Sequence, residues 1–530
     1  MPNKKASPCA RTSAIFKMRC APGMKLFSYL CSIIILYMET FEMVGKTLKG
    51  LEAVLAEELR NLGAKNVEPG RRMVSFEGDL EMLYKANLCC RTALRILKPF
   101  YRFTASTPDE LYEKVKEYDW SRLMNVDNTF CIDTVSNSDE FTHSHFVTYR
   151  VKDAIADWFR DRYGRDKRPQ VRLNGADVMI SVHISGQEIT LSLDSSGESL
   201  HRRGYRVDQT EAPISEVLAA GILLMSGYRG DTPLVDPMCG SGTFLIEAAL
   251  IAANINPGIY RKGFAFEKWK DFDSELFDRL YNDDSQEREV KYKIYGADIS
   301  PRAVEIASRN IKNAGVGRYI DLQVRSIARW EEAPQPAGIL VTNPPYGQRI
   351  SAPDMDALYS SIGTTLKNVF TGYHAWIIGY QEEYFHKIGL APSEKISLMN
   401  GGLDCELREY IIFDGNKKQF RAAGGRLKDE KPEQRDRRSD RRSKRPDYDR
   451  DGRRSSIKDD AERRPRFART DDAPRRFTSH PDRDRQESRE EENSTSRRRN
   501  PEALKSITGK GPSLPPSQGV IMRSRGWKKK

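Results

Sequence analysis

The chain has 530 residues, of which 38% are apolar and 31% are charged, and its formal net charge at pH 7 is +12. This length favours two or three domains. The charge is uneven, because residues 416–530 hold 36 Lys/Arg against 20 Asp/Glu, whereas residues 38–415 hold 45 against 55. The basic pI of 9.1 therefore belongs to the ends of the chain and gives no argument for nucleic-acid binding by the folded part.

The eight cysteines show neither a CxxC pair nor the spacing of metal ligands. Cys89 and Cys90 are adjacent, which is a poor arrangement for a disulfide framework or a zinc site. The pattern favours buried, reduced thiols. We therefore predict a cytoplasmic protein that holds no metal.

Residues 1–37 are basic and end in an apolar run over residues 26–37. That run is too short to span a bilayer comfortably, and no small-x-small cleavage site follows it before Met38. We predict that Met38 is the native start and that residues 1–37 are a non-native or disordered extension.

The pattern from residue 38 to residue 100 predicts a small strand–helix–strand–helix domain. Leu51, Leu55 and Leu59 recur every four residues, as on one face of a helix. A strand is predicted over Met73–Phe76, and a second helix over Leu80–Leu97.

Residues 101–200 predict a second α+β domain. It consists of a strand, a long amphipathic helix and a hairpin closed by the turn Ser185–Gln187. Their predicted bounds are Phe130–Val135, Ser144–Arg162, Val178–Ile184 and Glu188–Leu193. His143 and His145 flank the start of the long helix, but no third ligand is near in sequence, so we predict polar residues at a helix start rather than a metal site.

The segment His201–Arg206 places cationic and aromatic side chains around a glycine. Guanidinium groups beside an aromatic ring suit phosphate contacts and base stacking, so Arg202, Arg203, Tyr205 and Arg206 are candidate RNA-binding residues. A solvated linker is the equally supported alternative. The next helix is predicted to open at Ala212-Pro213.

A glycine-rich turn follows the short strand at Leu234-Val235. The sequence Asp236–Thr243, which we call the glycine loop, leads into a helix predicted over Phe244–Ala253. Strand, glycine turn and helix in succession bring a ligand close to backbone amides at a helix N-terminus. Neither a P-loop lysine nor a GxGxxG pattern is present, so a small ligand with a carboxylate fits better than a triphosphate or a dinucleotide.

Two later strands also end in polar residues. Asp298 follows the strand Lys293–Ala297, where an acid is placed to bridge ribose hydroxyls. Asn343-Pro344-Pro345-Tyr346 closes the continuous apolar run Ile339–Val341, typical of a buried parallel strand. The prolines end the ladder and hold Asn343 extended. Two acceptors beside an aromatic face suit a planar base with an exocyclic amine.

Taken in order and spacing, Asp236–Thr243, Asp298 and Asn343–Tyr346 resemble class I S-adenosylmethionine-dependent methyltransferases that act on exocyclic amines. With His201–Arg206, Asn400–Leu407 and the preceding α+β stretch, the resemblance narrows to ribosomal RNA guanine-N2 methyltransferases that carry a ferredoxin-like and THUMP RNA-binding module. The resemblance covers about residues 40–415.

The resemblance implies an α/β fold: a Rossmann-like class I methyltransferase domain (201–415) preceded by a ferredoxin-like domain (38–100) and a THUMP domain (101–200). It also implies the cofactor, S-adenosyl-L-methionine, and the roles of individual residues. The implied cofactor-binding residues are Asp236, Pro237, Cys239, Gly240, Gly242, Thr243, Asp298, Ser326 and Asn343. The implied catalytic residues are Asn343, Pro344, Pro345 and Tyr346.

Two departures from the family pattern matter. Ser326 stands at the end of the third strand, where these enzymes often have an acid for the adenine amine, so backbone groups are expected to recognise adenine. No second glycine loop or NPPY appears, so a single methylation is implied. The basic stretch 416–530 lacks the apolar residues of a core and is predicted to be a disordered tail that contacts RNA.

The predicted function is therefore methylation of a guanine N2 amine in 23S ribosomal RNA or a large-subunit precursor. A transfer-RNA guanine-N2 enzyme and an adenine-N6 enzyme on RNA or DNA remain open. A non-catalytic RNA-binding ribosome-assembly factor remains open as well.

Overall fold

Two β-sheets, one in each half of the chain, organise the fold. The computed structural model describes residues 40–210, 213–345 and 352–415, with backbone only at 352 and 353. The extension at 1–37, the tail at 416–530 and the predicted site residue Tyr346 lie outside the described residues. Within the described part, no helix combines the length and apolar character needed to cross a membrane.

The N-terminal sheet has eight strands in the order β2-β3-β1-β4-β8-β7-β5-β6. Its strands are β1 (Phe41–Lys46), β2 (Lys65–Gly70), β3 (Met73–Gly78), β4 (Arg95–Thr104), β5 (Thr129–Asn137), β6 (Gln170–Val171), β7 (Val178–Ser185) and β8 (Glu188–Asp194). The first part of strand β4, up to Leu97, pairs with β1, and the part from Leu97 to Thr104 pairs with β8. The two predicted N-terminal domains therefore share one sheet. We call residues 41–194 the N-terminal module.

Four helices cover this sheet. They are α1 (Glu52–Asn61), α2 (Leu80–Cys89), α3 (Pro108–Glu117) and α4 (Ser144–Tyr163). The helix predicted over Leu80–Leu97 was too long, because the helix ends at Cys89. Ile96 and Leu97 instead belong to strand β4, where both side chains are buried. A short apolar stretch is compatible with either a strand or a helix, and here hydrogen bonding to β1 and β8 makes it a strand.

The C-terminal sheet has seven strands in the order β11-β10-β9-β12-β13-β15-β14. They are β9 (Leu234–Asp236), β10 (Ile294–Asp298), β11 (Ile320–Val324), β12 (Gly338–Thr342), β13 (Tyr373–Gly379), β14 (Glu394–Asn400) and β15 (Leu403–Ile411). Pairing is parallel from β11 to β13, and β15 is antiparallel to both its neighbours. The connections reverse direction between β9 and β12, so a ligand crevice is expected at the carboxyl ends of these two strands.

Except for the short helix Ser274–Tyr281, whose Leu276 and Phe277 join the core of the N-terminal module, the helices described in this half pack on both faces of the sheet and form two apolar clusters. They are α5 (Glu216–Met225), α6 (Thr243–Ala252), α7 (Ser274–Tyr281), α8 (Pro301–Asn313), α9 (Ala352–Val369) and α10 (Glu382–Lys387). Helix α5 begins later than the predicted Ala212-Pro213, because the Ser215 hydroxyl caps it by accepting from the Leu218 N–H.

Residues 257–289, which lie between α6 and β10 in the chain, pack against the N-terminal module. Phe264, Phe266 and Phe277 belong to the same apolar core as the N-terminal module. The ring of Tyr84, on α2, stacks on Phe266 with 4.5 Å between centroids, and its hydroxyl accepts from the Asp273 N–H at 3.0 Å. This aromatic insertion therefore joins the C-terminal half to the N-terminal module.

Candidate active site

The glycine loop joins β9 to α6 at the predicted crevice. Gly240 and Gly242 adopt positive φ of 53° and 80°, which glycine reaches without strain. A Cβ on Gly242 would lie 3.1 Å from Cβ of Ala307 on α8, so glycine also permits close packing there. The loop is pinned to the end of β10, because the Cys239 N–H donates to the Ala297 carbonyl at 2.9 Å.

Asp236, the last residue of β9, is buried beneath this loop at 1% exposure. Its carboxylate accepts a hydrogen bond from the Met238 N–H at 3.2 Å, and burial raises its pKa to about 8. In the described part of the chain no Lys, Arg or His forms an ion pair with it. A buried carboxyl of this kind is ready to receive a cationic group, which would restore its charged form.

Asp298 stands at the end of β10, on the opposite side of the loop. One carboxylate oxygen accepts from the Gly240 N–H at 3.0 Å and the other from the Ser300 N–H at 2.9 Å. The side chain therefore fixes the glycine loop while still bordering the cavity. Each carboxylate oxygen keeps a free lone pair for a ligand hydroxyl.

Asn343 follows β12 and is followed by two prolines. Its Oδ1 is buried and has no hydrogen-bond partner among the described residues. Unpaired buried acceptors are rare in folded proteins and call for a partner. Pro344 and Pro345 border the same cavity, whereas Tyr346 lies outside the described residues. The corner Asn343–Pro345 thus offers an acceptor that the described residues leave unused.

A cavity of about 1040 Å³ joins the glycine loop to this corner. The predicted site residues that line it are Asp236, Pro237, Cys239, Gly240, Thr243, Asp298, Ser326, Asn343, Pro344 and Pro345. Gly242 does not line the cavity, and its positive φ allows the glycine loop to turn. Sequence reasoning missed other lining residues, among them Gln209, Thr210, Leu358, Tyr380 and Leu403. An aromatic residue after a strand that neighbours β12 was the available signal for Tyr380.

The structure contradicts most of the predicted RNA-binding segment. Arg203 and Tyr205 are 2% and 1% exposed, so the prediction that they contact RNA is wrong. Arg203 donates to the carbonyls of Leu200 and Arg91, and the Tyr205 hydroxyl donates to the Glu247 carboxylate at 2.9 Å. Burial of a guanidinium requires such partners, and their presence turns these side chains inward.

Arg206 is also turned inward, towards the glycine loop, so its predicted RNA contact is wrong as well. Its guanidinium donates to Ser241 Oγ at 3.1 Å and to Thr243 Oγ1 at 3.0 Å. Arg202 alone of the four is exposed, at 66% of its side chain, and pairs with Glu198.

The two histidines show no sign of a metal site. His143 occupies the position before α4 and makes no side-chain capping bond. No group of three or more potential metal ligands occurs in the described ranges.

Three family profiles match successive stretches of the chain. They are described as the RlmL ferredoxin-like domain (residues 42–97), the THUMP domain (105–194) and "RMKL-like, methyltransferase domain" (203–409). The protein slr0064 of Synechocystis sp., provisionally named an RNA methyltransferase, is 39% identical over 368 residues, which are 69% of this chain and 95% of that protein. The chain belongs to this family of THUMP-containing methyltransferases. Its predicted fold class is confirmed.

Other relatives are longer. Proteins named "Ribosomal RNA large subunit methyltransferase K/L" from Syntrophotalea carbinolica and Methylococcus capsulatus are 39% and 40% identical, each over 69% of this chain. The chain spans about half the length of these relatives, 53% and 50% respectively.

Solved structures agree with this assignment. SMU.472, provisionally named a methyltransferase and crystallised with SAH, is 31% identical with a TM-score of 0.64, covering 71% of this chain and all of that one. SAH, S-adenosylhomocysteine, is what remains of S-adenosylmethionine after methyl transfer, so the predicted cofactor is confirmed for the family. TrmN from Thermus thermophilus, at 17% identity and a TM-score of 0.53, shows the shared fold.

Proposed function

We propose that this protein methylates the N2 amine of a guanine in 23S ribosomal RNA. The observation that carries the proposal is the buried Oδ1 of Asn343, which has no partner among the described residues and belongs to a residue that lines the same cavity as the glycine loop. An unsatisfied acceptor is costly unless a ligand donor completes it. An exocyclic amine would supply such a donor to the acceptor that the described residues leave unpaired.

The residues on the glycine-loop side fit S-adenosylmethionine. Asp236 would receive the ammonium group and Asp298 the ribose hydroxyls. When bound, the cofactor supplies a methyl group on a positively charged sulfur, which is electrophilic without a metal. The protein's task is then to hold donor and acceptor in line and to exclude water.

The corner Asn343–Pro345 would hold the target amine. Asn343 Oδ1 and the Pro344 carbonyl would each accept one N–H, which turns the nitrogen lone pair towards the donor side. Both are oxygen acceptors with partial negative charge, so they also stabilise the positive charge that grows on nitrogen. The product amine then loses a proton to water, since an amide oxygen is too weak a base to keep it.

A base must leave its stack to enter this cavity, at a cost of about a few kcal/mol that favours loops or single-stranded RNA. Tyr346 is proposed to stack on the extruded base. Tyr380 is 44% exposed and lines the cavity. Thr342 pairs with Ile377, so continuing this register places Tyr380 beside Pro345, and we propose it as a second aromatic contact.

The THUMP domain and the names of the K/L relatives support RNA, and specifically large-subunit ribosomal RNA, as the substrate. An adenine-N6 activity has separate support, because a solved structure from Listeria monocytogenes at 31% identity carries the name of a predicted N6-adenine-specific DNA methylase. The corner Asn343–Pro345 would accept either amine.

Nucleoside mass spectrometry of RNA from a deletion strain tests the proposal. We expect N2-methylguanosine to disappear from one site of large-subunit RNA and to return on complementation with the intact chain, but not with Asn343→Ala. Loss of N2-methylguanosine from transfer RNA would identify transfer RNA as the substrate, and loss of N6-methyladenine from DNA would identify DNA adenine as the substrate. Unchanged nucleosides in every RNA and in DNA would contradict an enzymatic role.

A further inference from the structure

The segment between the N-terminal module and α5 passes behind the glycine loop. Residues 201–210, which we call the linker segment, begin close to the end of β8 and reach the cavity at Gln209 and Thr210. A Cβ built on Gly240 would lie 3.7 Å from Thr210 Oγ1, so linker and loop are neighbours at the cavity wall. The chain that follows the N-terminal module therefore contributes to the proposed cofactor site.

Arg206 is the centre of this contact. Its side chain is 14% exposed and forms an ion pair with Glu216, from Nε to a carboxylate oxygen at 2.9 Å. The remaining guanidinium nitrogens donate to Ser241 Oγ, Thr243 Oγ1 and the Ile214 carbonyl at 3.0–3.1 Å. A guanidinium offers five donors in a rigid plane, so one side chain can fix two loop residues and the start of α5 together.

Asn310 on α8 makes a second connection. Its Oδ1 accepts from the N–H groups of Val207 and Asp208, and its Nδ2 donates to the carbonyls of Asp208 and Ser241. The residue is 1% exposed. All hydrogen-bonding positions of its amide are thus used to join the linker segment to the glycine loop.

We propose that Arg206 is a positioning residue for S-adenosylmethionine and that the linker segment, joined through Asn310, sets the shape of the glycine loop. Arg206 itself does not line the cavity and acts through Ser241 and Thr243, both of which do. The inference rests on the proposed use of this cavity for the cofactor. It gives Arg206 a role in cofactor binding in place of the predicted RNA contact.

Calorimetry of S-adenosylhomocysteine binding to the full chain tests this role. We expect Arg206→Ala to raise the Kd about tenfold or more, since it removes charge-assisted bonds that hold the loop. Arg206→Lys keeps the charge but not the planar fork, so it should recover part of the affinity. The matched control is Arg202→Ala, four residues earlier and exposed, which should leave this Kd unchanged.

Steady-state kinetics and RNA binding separate positioning from other roles. For Arg206→Lys we expect a higher KM for S-adenosylmethionine with kcat at saturation within about twofold of the original, because the acceptor corner is untouched. Affinity for RNA should be unchanged. Lost RNA affinity with an unaltered Kd for S-adenosylhomocysteine would restore the RNA-contact interpretation and overturn the proposal.

Asn310→Asp keeps the Oδ1 acceptor and loses the donor to Ser241, so it tests the same connection without touching Arg206. An unchanged Kd in this variant and in Arg206→Lys overturns the inference, even if Arg206→Ala does not fold. If the original chain binds no S-adenosylhomocysteine, the proposed function fails with it. If the original chain and the variants all bind equally, only the inference fails.

Discussion

The two sides of the cavity differ in how completely the protein satisfies its own polar groups. On the cofactor side, the Gly240 N–H is bonded to Asp298, and Ser241 is bonded to both Arg206 and Asn310. On the acceptor side, Oδ1 of Asn343 is buried without a partner in the described chain. The glycine-loop side is therefore held by the protein's own hydrogen bonds, while we expect the proposed substrate to complete the side of Asn343.

The largest effect is expected from a substitution of Asn343 on the acceptor side. Asn343→Ala removes one of the two proposed acceptors for the amine, so we expect kcat to fall by about 10²–10³-fold, as when one donor of an oxyanion hole is removed. Binding of S-adenosylhomocysteine, measured by calorimetry, should stay within about twofold. Asn343→Asp, which keeps an acceptor oxygen, should retain more activity. Turnover within tenfold of the original in the alanine variant would contradict the assigned role.

The second prediction concerns pH on the cofactor side. Burial raises the pKa of Asp236 to about 8, so the ligand-free carboxyl is largely protonated near neutrality. A cationic ligand needs the charged form, and its affinity should rise by up to about tenfold from pH 6 to pH 7, where an α-amino group remains protonated. Calorimetry with S-adenosylhomocysteine measures this slope.

Asp236→Asn is the control for that slope and should abolish it. The same shift affects stability without ligand. The folded pKa lies above the unfolded value, so the folded protein binds more protons and its free energy of unfolding falls as pH rises from about 4 to about 8. Asp236→Asn should flatten this decline in denaturant titrations. A slope that persists in the variant would place the titrating group elsewhere.

A smaller effect is expected at Tyr380 on the acceptor side. Stacking of a base on an aromatic ring contributes about 1–3 kcal/mol, so Tyr380→Ala should lower kcat/KM for RNA by about tenfold or somewhat more. Tyr380→Phe keeps the ring and should stay close to the original. Equal loss in both variants would point to the hydroxyl rather than to stacking.

The smallest effect is expected outside the cavity. Arg202 is the exposed arginine of the linker segment, and Arg202→Ala should weaken RNA binding a few-fold and reduce the salt slope of log K by about one. Filter binding between low and physiological salt measures this. Identical slopes would remove the linker segment from the RNA interface altogether.

The sequence predicted those parts of the site in which local residues dictate the backbone. Prolines end a strand by themselves, and glycines turn the loop by themselves, so the glycine loop and Asn343–Pro345 could be placed from sequence. The strands that precede them could also be predicted, because a buried parallel strand is a continuous apolar run in the sequence.

The linker segment could not be predicted in this way. Arginine and tyrosine look the same in sequence whether they face RNA or a buried ion pair. The guanidinium of Arg203 is turned inward by its hydrogen bond to the Arg91 carbonyl, 112 residues away. The hydroxyl of Tyr205 is turned inward by its hydrogen bond to the Glu247 carboxylate, 42 residues away. The single eight-stranded sheet was missed for the same reason, since the pairing of β4 with β8 joins distant stretches.

The aromatic insertion has a consequence for the synthesis of the protein. Tyr84 emerges from the ribosome almost two hundred residues ahead of its ring partner Phe277. At ~5–20 residues per second, that gap corresponds to about 10–40 s. Throughout that interval the nascent N-terminal module carries an uncovered aromatic surface, which chaperones recognise. We therefore expect this surface to stay exposed until the aromatic insertion has been synthesised.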